Sequence, residues 1–208
     1  MNTYPGKFLL WISLLLIIQG CSYESLREAQ ISNGVSPVSF SFFGEDTRTM
    51  ISTAKIRIMG FSSGGYLIVK KFGHAYRLNF TNQLGMTYFD ITLTRDAYEI
   101  NHIIEELNKR ALMQKIGSFF QVLLFSDGDP DQIVFRRKNG RMIIKDPAAR
   151  NVFVLDGDNL LREKSQKAGW NRIRIFYEDY EQGRPYSLRI NETGLIRMKM
   201  DINVLKYK

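Results

Sequence analysis

The segments Ala54-Lys55-Ile56-Arg57-Ile58 and Tyr76-Arg77-Leu78-Asn79-Phe80 decide the fold of this chain. In both segments apolar and polar residues alternate, which is the period of a β-strand with one buried and one solvated face. Similar runs recur from Val38 onward and are separated by turns that contain glycine. This period predicts strands at 38–43, 51–59, 65–72, 75–81, 86–93, 97–100, 132–137, 141–145, 151–155, 160–165, 171–178, 185–190 and 195–205.

Two of the connections carry a clear turn signal. Lys138-Asn139-Gly140-Arg141 predicts a tight hairpin, since Asn-Gly accepts positive φ at both central positions. Asn191-Glu192-Thr193-Gly194 predicts a second hairpin turn. Successive strands joined in this way form a meandering antiparallel sheet.

One segment, 107–124, changes to helical spacing. Its apolar side chains fall on one side of a helix and its charged side chains on the other. Gly117 inside this helix costs about 1 kcal/mol relative to Ala, so we expect a packing reason for it. The predicted stripe consists of Leu107, Ala111, Ile116, Phe119, Phe120 and Leu123. The expected fold is mainly β (α+β), an antiparallel sheet of about eleven or twelve strands whose concave apolar face is covered by this amphipathic helix.

The N-terminal region has the pattern of a bacterial lipoprotein signal. The predominantly apolar run Phe8–Ile18 is shorter than the about 20 residues needed to span a bilayer. It is followed by Ile18-Gln19-Gly20-Cys21, which resembles a lipobox. We therefore expect a signal peptide at 1–20, diacylglyceryl attachment to Cys21, a polar tether over 21–37 and a folded domain over 38–208. The alternative is an ordinary secretory signal followed by an unmodified cysteine.

The composition indicates a well-packed domain near a membrane rather than a nucleic-acid-binding protein. The chain is 44% hydrophobic, has a net charge of +8 and contains a single cysteine, so no disulfide within the chain is possible. Its basic residues are spread along the predicted strands instead of forming a cluster. A mild attraction to anionic lipid head groups is expected.

Few residues offer catalytic or metal-binding chemistry. His74 and His102 have no Cys or carboxylate at metal-ligand spacing. The acidic residues in 127–131 have the spacing of a calcium loop but lack its glycine and closing glutamate. The glycine-rich stretch 60–65 lacks the Lys-Ser/Thr pair of a phosphate-binding loop. We predict no enzyme activity, no metal and no cofactor; a hydrolase with carboxylates paired in space remains an alternative.

The segment Tyr76–Thr87, sequence YRLNFTNQLGMT, resembles a segment of the outer-membrane lipoprotein receptor family LolB. Gly194–Asp201 resembles that family's closing strand. The resemblance implies an incomplete antiparallel barrel, closed by helices around an apolar cavity that receives acyl chains. It also implies that a lipid-anchored monomer on the periplasmic face of the outer membrane takes lipoproteins from a soluble LolA-like carrier and delivers them to that membrane.

The resemblance assigns a role to Leu84. In the family the leucine of the Leu-Gly pair protrudes from its loop and assists insertion of the cargo into the bilayer. Gln83 stands where the family often has proline. The alternative is that Leu84 folds back onto the sheet.

The apolar positions of the strands and the helix predict which side chains line the acyl cavity. The alternative is that the same side chains simply pack in the core. The strand residues are Ile56, Ile58, Leu67, Val69, Leu78, Phe80, Phe89 and Ile91, and the helix residues are Phe119, Phe120 and Leu123. Two functions follow from these readings. The first is a non-catalytic acceptor or carrier of acylated lipoproteins or lipids. The second is an adaptor lipoprotein of the same fold, with a filled core and a protein partner.

Overall fold

The computed structural model describes residue 43 and the ranges 47–125, 133–136, 140–146, 150–168, 170–194 and 197–208. For 133–136 and Ala168 only the backbone is described. The predicted signal peptide, Cys21, the tether and most of the first predicted strand lie outside the described residues, as does the acidic stretch 127–131.

All the strands of the described chain belong to one antiparallel sheet, which confirms the prediction of a mainly β fold. The strand order is β5-β4-β3-β2-β1-β12-β11-β10-β9-β8-β7-β6, so the first and last strands pair with each other in the middle of the sheet. The sheet does not close within the described residues, because β5 and β6 end it on either side. The strands are β1 (Thr49–Ile58), β2 (Phe61–Phe72), β3 (Ala75–Thr81), β4 (Thr87–Leu93), β5 (Tyr98–Ile103), β6 (Ile133–Arg136), β7 (Met142–Asp146), β8 (Asn151–Leu155), β9 (Leu161–Ala168), β10 (Asn171–Glu181), β11 (Arg184–Thr193) and β12 (Met198–Tyr207).

The predicted hairpin between β11 and β12 is confirmed, but its turn begins at Gly194 and not at Asn191. Strand β11 continues through Thr193, with Asn191 opposite Lys199 and Glu192 opposite Met198 in β12. The apolar alternation of Leu188 and Ile190 places Glu192 next on the buried face of the sheet, and the cross-strand pairing holds it there. The tertiary pairing overrides the local turn signal.

The helix begins later than predicted. Glu105–Leu107 forms a short 3₁₀ helix, and the α-helix α1 spans Arg110–Leu124. Its buried side chains include Leu112, Met113 and Val122, whereas Ala111 is exposed, so the buried stripe differs from the predicted one at both ends. No helix among the described residues is long and apolar enough to cross a membrane.

Helix α1 packs against the sheet through its aromatic side. The rings of Phe120 and Phe89 of β4 meet edge to face, with their centroids 6.4 Å apart. Gly117 has a packing reason, since a Cβ there would lie 2.8 Å from Cδ1 of Tyr98 in β5. The glycine lets the Tyr98 ring approach the helix backbone.

Because every pair is antiparallel, the strand connections lie alternately at the two ends of the strands. Each of these rows of strand ends is called an edge, as distinct from the outermost strands β5 and β6. We call the edge with the connections β1–β2, β3–β4, β7–β8, β9–β10 and β11–β12 the Leu84 edge, and the other the opposite edge. Helix α1 runs from the first edge towards the second: Lys115 in its N-terminal half meets Glu192 near the Leu84 edge, and Gln121 donates to the carbonyl of Thr94 at the opposite edge (3.4 Å).

Candidate functional site

The turn between β3 and β4 is held by the side chain of Asn82. Its Oδ1 accepts hydrogen bonds from the backbone N–H groups of Leu84 and Met86, each at 2.9 Å. The backbone N–H of Asn82 donates to the Met86 carbonyl at 2.9 Å, and Gly85 adopts φ +87°, a conformation that favours glycine. Four fixed backbone positions therefore define where the Leu84 side chain points.

Leu84 projects into solvent and does not fold back onto the sheet. Its side chain is 94% exposed, and that of Met86 beside it is 51% exposed. An apolar side chain on a rigid, polar turn gains nothing from the fold of the described chain. The turn is thus a candidate contact surface for an apolar partner.

The eleven side chains selected for the cavity all lie in the core, with at most 2% of their surface exposed. At such exposure they have almost no contact with solvent or with a void large enough for a water molecule. Ring contacts join Phe80 to Phe89, Phe89 to Phe120 and Phe120 to Phe119, with centroids 5.4–6.4 Å apart. In this conformation these residues are packed against one another.

A pocket of about 400 Å³ lies beside them, between helix α1 and strands β9 to β11. Its wall on the helix includes Lys115, Ser118 and Val122, and its wall on the sheet includes Gln166, Ile173 and Glu192. Val122 and Ile173 also belong to the hydrophobic core, so the pocket adjoins the core directly. Its volume is at the lower end of the range for small-molecule sites.

An ion pair between Lys115 and Glu192 connects the helix to the sheet inside this pocket. The Glu192 side chain is 2% exposed, and its Oε2 has no hydrogen-bond partner within the described part of the chain. Burial raises the pKa of the Glu192 carboxyl, and the hydrogen bond and charge of Lys115 oppose that rise. The pair is 77 residues apart in sequence, and nothing in the local pattern pointed to it.

Lys164 is a second buried charge that sequence reasoning missed. It is 1% exposed on β9, and its Nζ donates to the carbonyl of Val122 and, at 3.5 Å, to that of Phe125. These carbonyls belong to the C-terminal end of helix α1, where a cation is favoured by the helix dipole. Lys164 therefore fastens the helix at the end nearer the opposite edge.

The two histidines are not brought together by the fold. His74 lies in the β2–β3 connection and His102 on edge strand β5, opposite Asp90. Within the ranges that the structure describes, no three His, Cys, Asp or Glu side chains are grouped as metal ligands.

Comparison of the sequence with protein-family models and with curated proteins gives no match in either case.

Proposed function

We propose that this protein is a lipid-anchored, non-catalytic acceptor of acylated lipoproteins or other acylated lipids, which it delivers to the outer membrane from the periplasmic side. The observation that carries the proposal is the exposed Leu84 on its rigid turn. The proposal takes Cys21 as the anchor, and the resemblance to the LolB family supplies the cargo class and a LolA-like carrier as donor. A sheet that does not close and has an apolar concave face is the scaffold expected for a protein that binds acyl chains.

The energetics favour a protein route for such cargo. Moving one acyl chain of about sixteen carbons into water costs on the order of 10 kcal/mol at about 0.8 kcal/mol per methylene. A passage through water is therefore too slow. An apolar protein interior accepts the chain with little net change, and the bilayer then takes it, so no nucleotide site is needed for the transfer.

In this proposal helix α1 is the movable cover of the concave apolar face. The acyl chain enters at the pocket beside Lys115 and displaces the helix from the aromatic core. Val122 and Ile173 lie on the path, because they face both the pocket and the core. Lys164 keeps the far end of the helix attached while the pocket end opens.

The test separates binding of acyl chains from their delivery. The full chain is titrated with a fluorescent fatty acid, and transfer of a fluorescent acylated lipoprotein to outer-membrane-like vesicles is then followed. We expect one saturable site that palmitate competes for. The Leu84→Glu variant should keep this site, retain the fold by circular dichroism and lose transfer. Normal transfer by the variant would contradict the role of Leu84.

The second candidate function is that of an adaptor lipoprotein with a filled core. The close packing of Phe80, Phe89, Phe119 and Phe120 favours it, because a preformed cavity would leave space between these rings. The same titration distinguishes the two, since an adaptor binds the fluorescent fatty acid without saturation.

A further inference from the structure

Large apolar side chains in the turns of the sheet are concentrated at the Leu84 edge. Trp170, in the β9–β10 connection, is 100% exposed, and Met59, in the β1–β2 connection, is 63% exposed. With Leu84 and Met86 they form what we call the apolar turn group. The group extends from β3 to β10 along a single edge of the sheet.

Basic side chains surround the tryptophan end of this group. The exposed cations there are Arg150, Lys167, Arg172, Arg197 and Lys199. Among the described residues within two positions of these cations or of Trp170, the only carboxylate is Asp201, which is half-buried and pairs with Arg57 at 2.7 Å. Glu192 and Asp146 at this edge are buried, and the exposed Glu105 and Glu106 follow β5.

We infer that the Leu84 edge docks on the surface of an anionic bilayer, with Trp170 and Leu84 in the interface and the surrounding cations on lipid phosphates. Tryptophan is the side chain best suited to this depth, since its ring is apolar and its N–H can hydrogen-bond to head groups. Each Lys or Arg near an anionic surface contributes about 1 kcal/mol of attraction. Exposed cations outnumber exposed carboxylates around Trp170, beside the apolar turn group. This combination favours an anionic lipid surface over a neutral apolar partner.

This inference deepens the proposed function, on which it rests only for the presence of a membrane anchor. It adds an orientation: the pocket beside Lys115 lies near the same edge and would face the membrane surface. Cargo would then leave the protein at the lipid surface and not across water.

The tryptophan content of the chain supplies a built-in probe. The sequence has two tryptophans, Trp11 and Trp170, and Trp11 lies in the predicted signal peptide, so the mature lipidated protein has Trp170 as its only one. This mature protein is anchored through Cys21 in vesicles that contain brominated acyl chains, made either of phosphatidylcholine alone or with phosphatidylglycerol. We expect a blue-shifted, strongly quenched emission in the anionic vesicles, and roughly fivefold less of the docked form for each surface cation removed.

The matched control moves the fluorophore to the opposite edge. Phe72 is 57% exposed near the β2–β3 connection, and the double substitution Trp170→Phe with Phe72→Trp should give an unquenched emission. Arg172→Glu with Lys167→Glu should reduce the quenching of Trp170. Equal quenching at both edges, no quenching of Trp170, or quenching that is independent of lipid charge would each overturn the inference.

The two proposals fail separately. If Trp170 stays unquenched while acylated cargo is still transferred, docking is wrong and the carrier function stands. If Trp170 docks but the fluorescent fatty acid binds without saturation, the carrier function is wrong and docking stands.

Discussion

Two turns at opposite edges of the sheet have the same backbone and different chemistry. In the turn 82–86, Asn82 Oδ1 accepts from the N–H groups two and four positions later. In the turn 156–160, Asp156 Oδ1 accepts from the N–H groups of Asp158 and Leu160 at 3.0 and 2.9 Å. The fourth residue has positive φ in both turns, Gly85 at +87° and Asn159 at +61°.

The third residue is where they differ: it is Leu84 in one turn and Asp158 in the other. Both side chains point into solvent. Because the second turn forms with an aspartate at this position, the geometry does not require a leucine. The turn can therefore form without a leucine at position 84, and the proposed membrane contact gives this leucine a role.

The largest effect is expected from exchanging this one position. Leu84→Asp should slow delivery of acylated cargo to vesicles on the order of a thousandfold. Insertion of the Leu84 side chain into the membrane is worth about 2 kcal/mol, and placing a carboxylate at the same depth costs about 2–3 kcal/mol more. The thermal midpoint should stay unchanged, since the turn tolerates aspartate. Asp158→Leu is the matched control at the opposite edge and should leave delivery unchanged; equal loss in both variants would remove the distinction between the edges.

A smaller effect is expected from releasing helix α1 at the end nearer the opposite edge. Lys164→Met removes the buried donor to the Val122 carbonyl, and the unsatisfied group should cost about 2 kcal/mol of unfolding free energy in urea. Lys167→Met, on an exposed position of the same strand, is the control and should stay within about 0.5 kcal/mol of the parent. If both variants are equally stable, Lys164 does not fasten the helix.

Removing the acceptor from each turn tests whether the position of Leu84 must be fixed. Asn82→Ala and Asp156→Ala each delete two hydrogen bonds to backbone N–H groups, and Asp156→Ala also removes the partly exposed ion pair with Arg162. Each variant should lose about 1 kcal/mol of unfolding free energy. Delivery should fall only in Asn82→Ala, and by less than in Leu84→Asp, because the leucine is kept but no longer held in place. Unchanged delivery in Asn82→Ala would show that the leucine acts without a preset orientation.

The sequence predicted those features that depend on local periodicity. The strands from β1 to β12 follow alternation over a few residues, so their existence needed no knowledge of distant partners. The apolar positions of β3 and β4, such as Leu78 and Phe89, are buried as the pattern indicates. Whether these residues ever contact an acyl chain, and whether Cys21 carries lipid, stay predictions.

What the sequence did not predict depends on contacts between distant segments. Lys164 occupies a buried strand position, where an unpaired ammonium group would be destabilising. Its hydrogen bond to the Val122 carbonyl, 42 residues away in sequence at the end of helix α1, compensates for the burial. Glu192 lies in a segment with a turn composition, and its pairing with β12 and Lys115 keeps it in the sheet. The exposure of Leu84 had two readings because composition does not reveal which way a turn residue points.

The smallest effect is a difference in pH response between the two turns, because the acceptor is a carboxylate in one and an amide in the other. Partial burial would raise the pKa of Asp156, but the Arg162 guanidinium at 2.6 Å and the N–H groups of Leu160 and Asp158 together lower it. A lowered folded-state pKa means that this stabilisation is present above the usual value of 3.8 and is lost as the pH falls through the folded value. The protection factor of the Leu160 amide, measured by NMR hydrogen exchange and corrected for the intrinsic rate at each pH, should therefore fall in acid while that of Met86 is kept. Asp156→Asn should give both turns the same response, and a fall in protection at Met86 as well would mean that acid loosens the whole sheet.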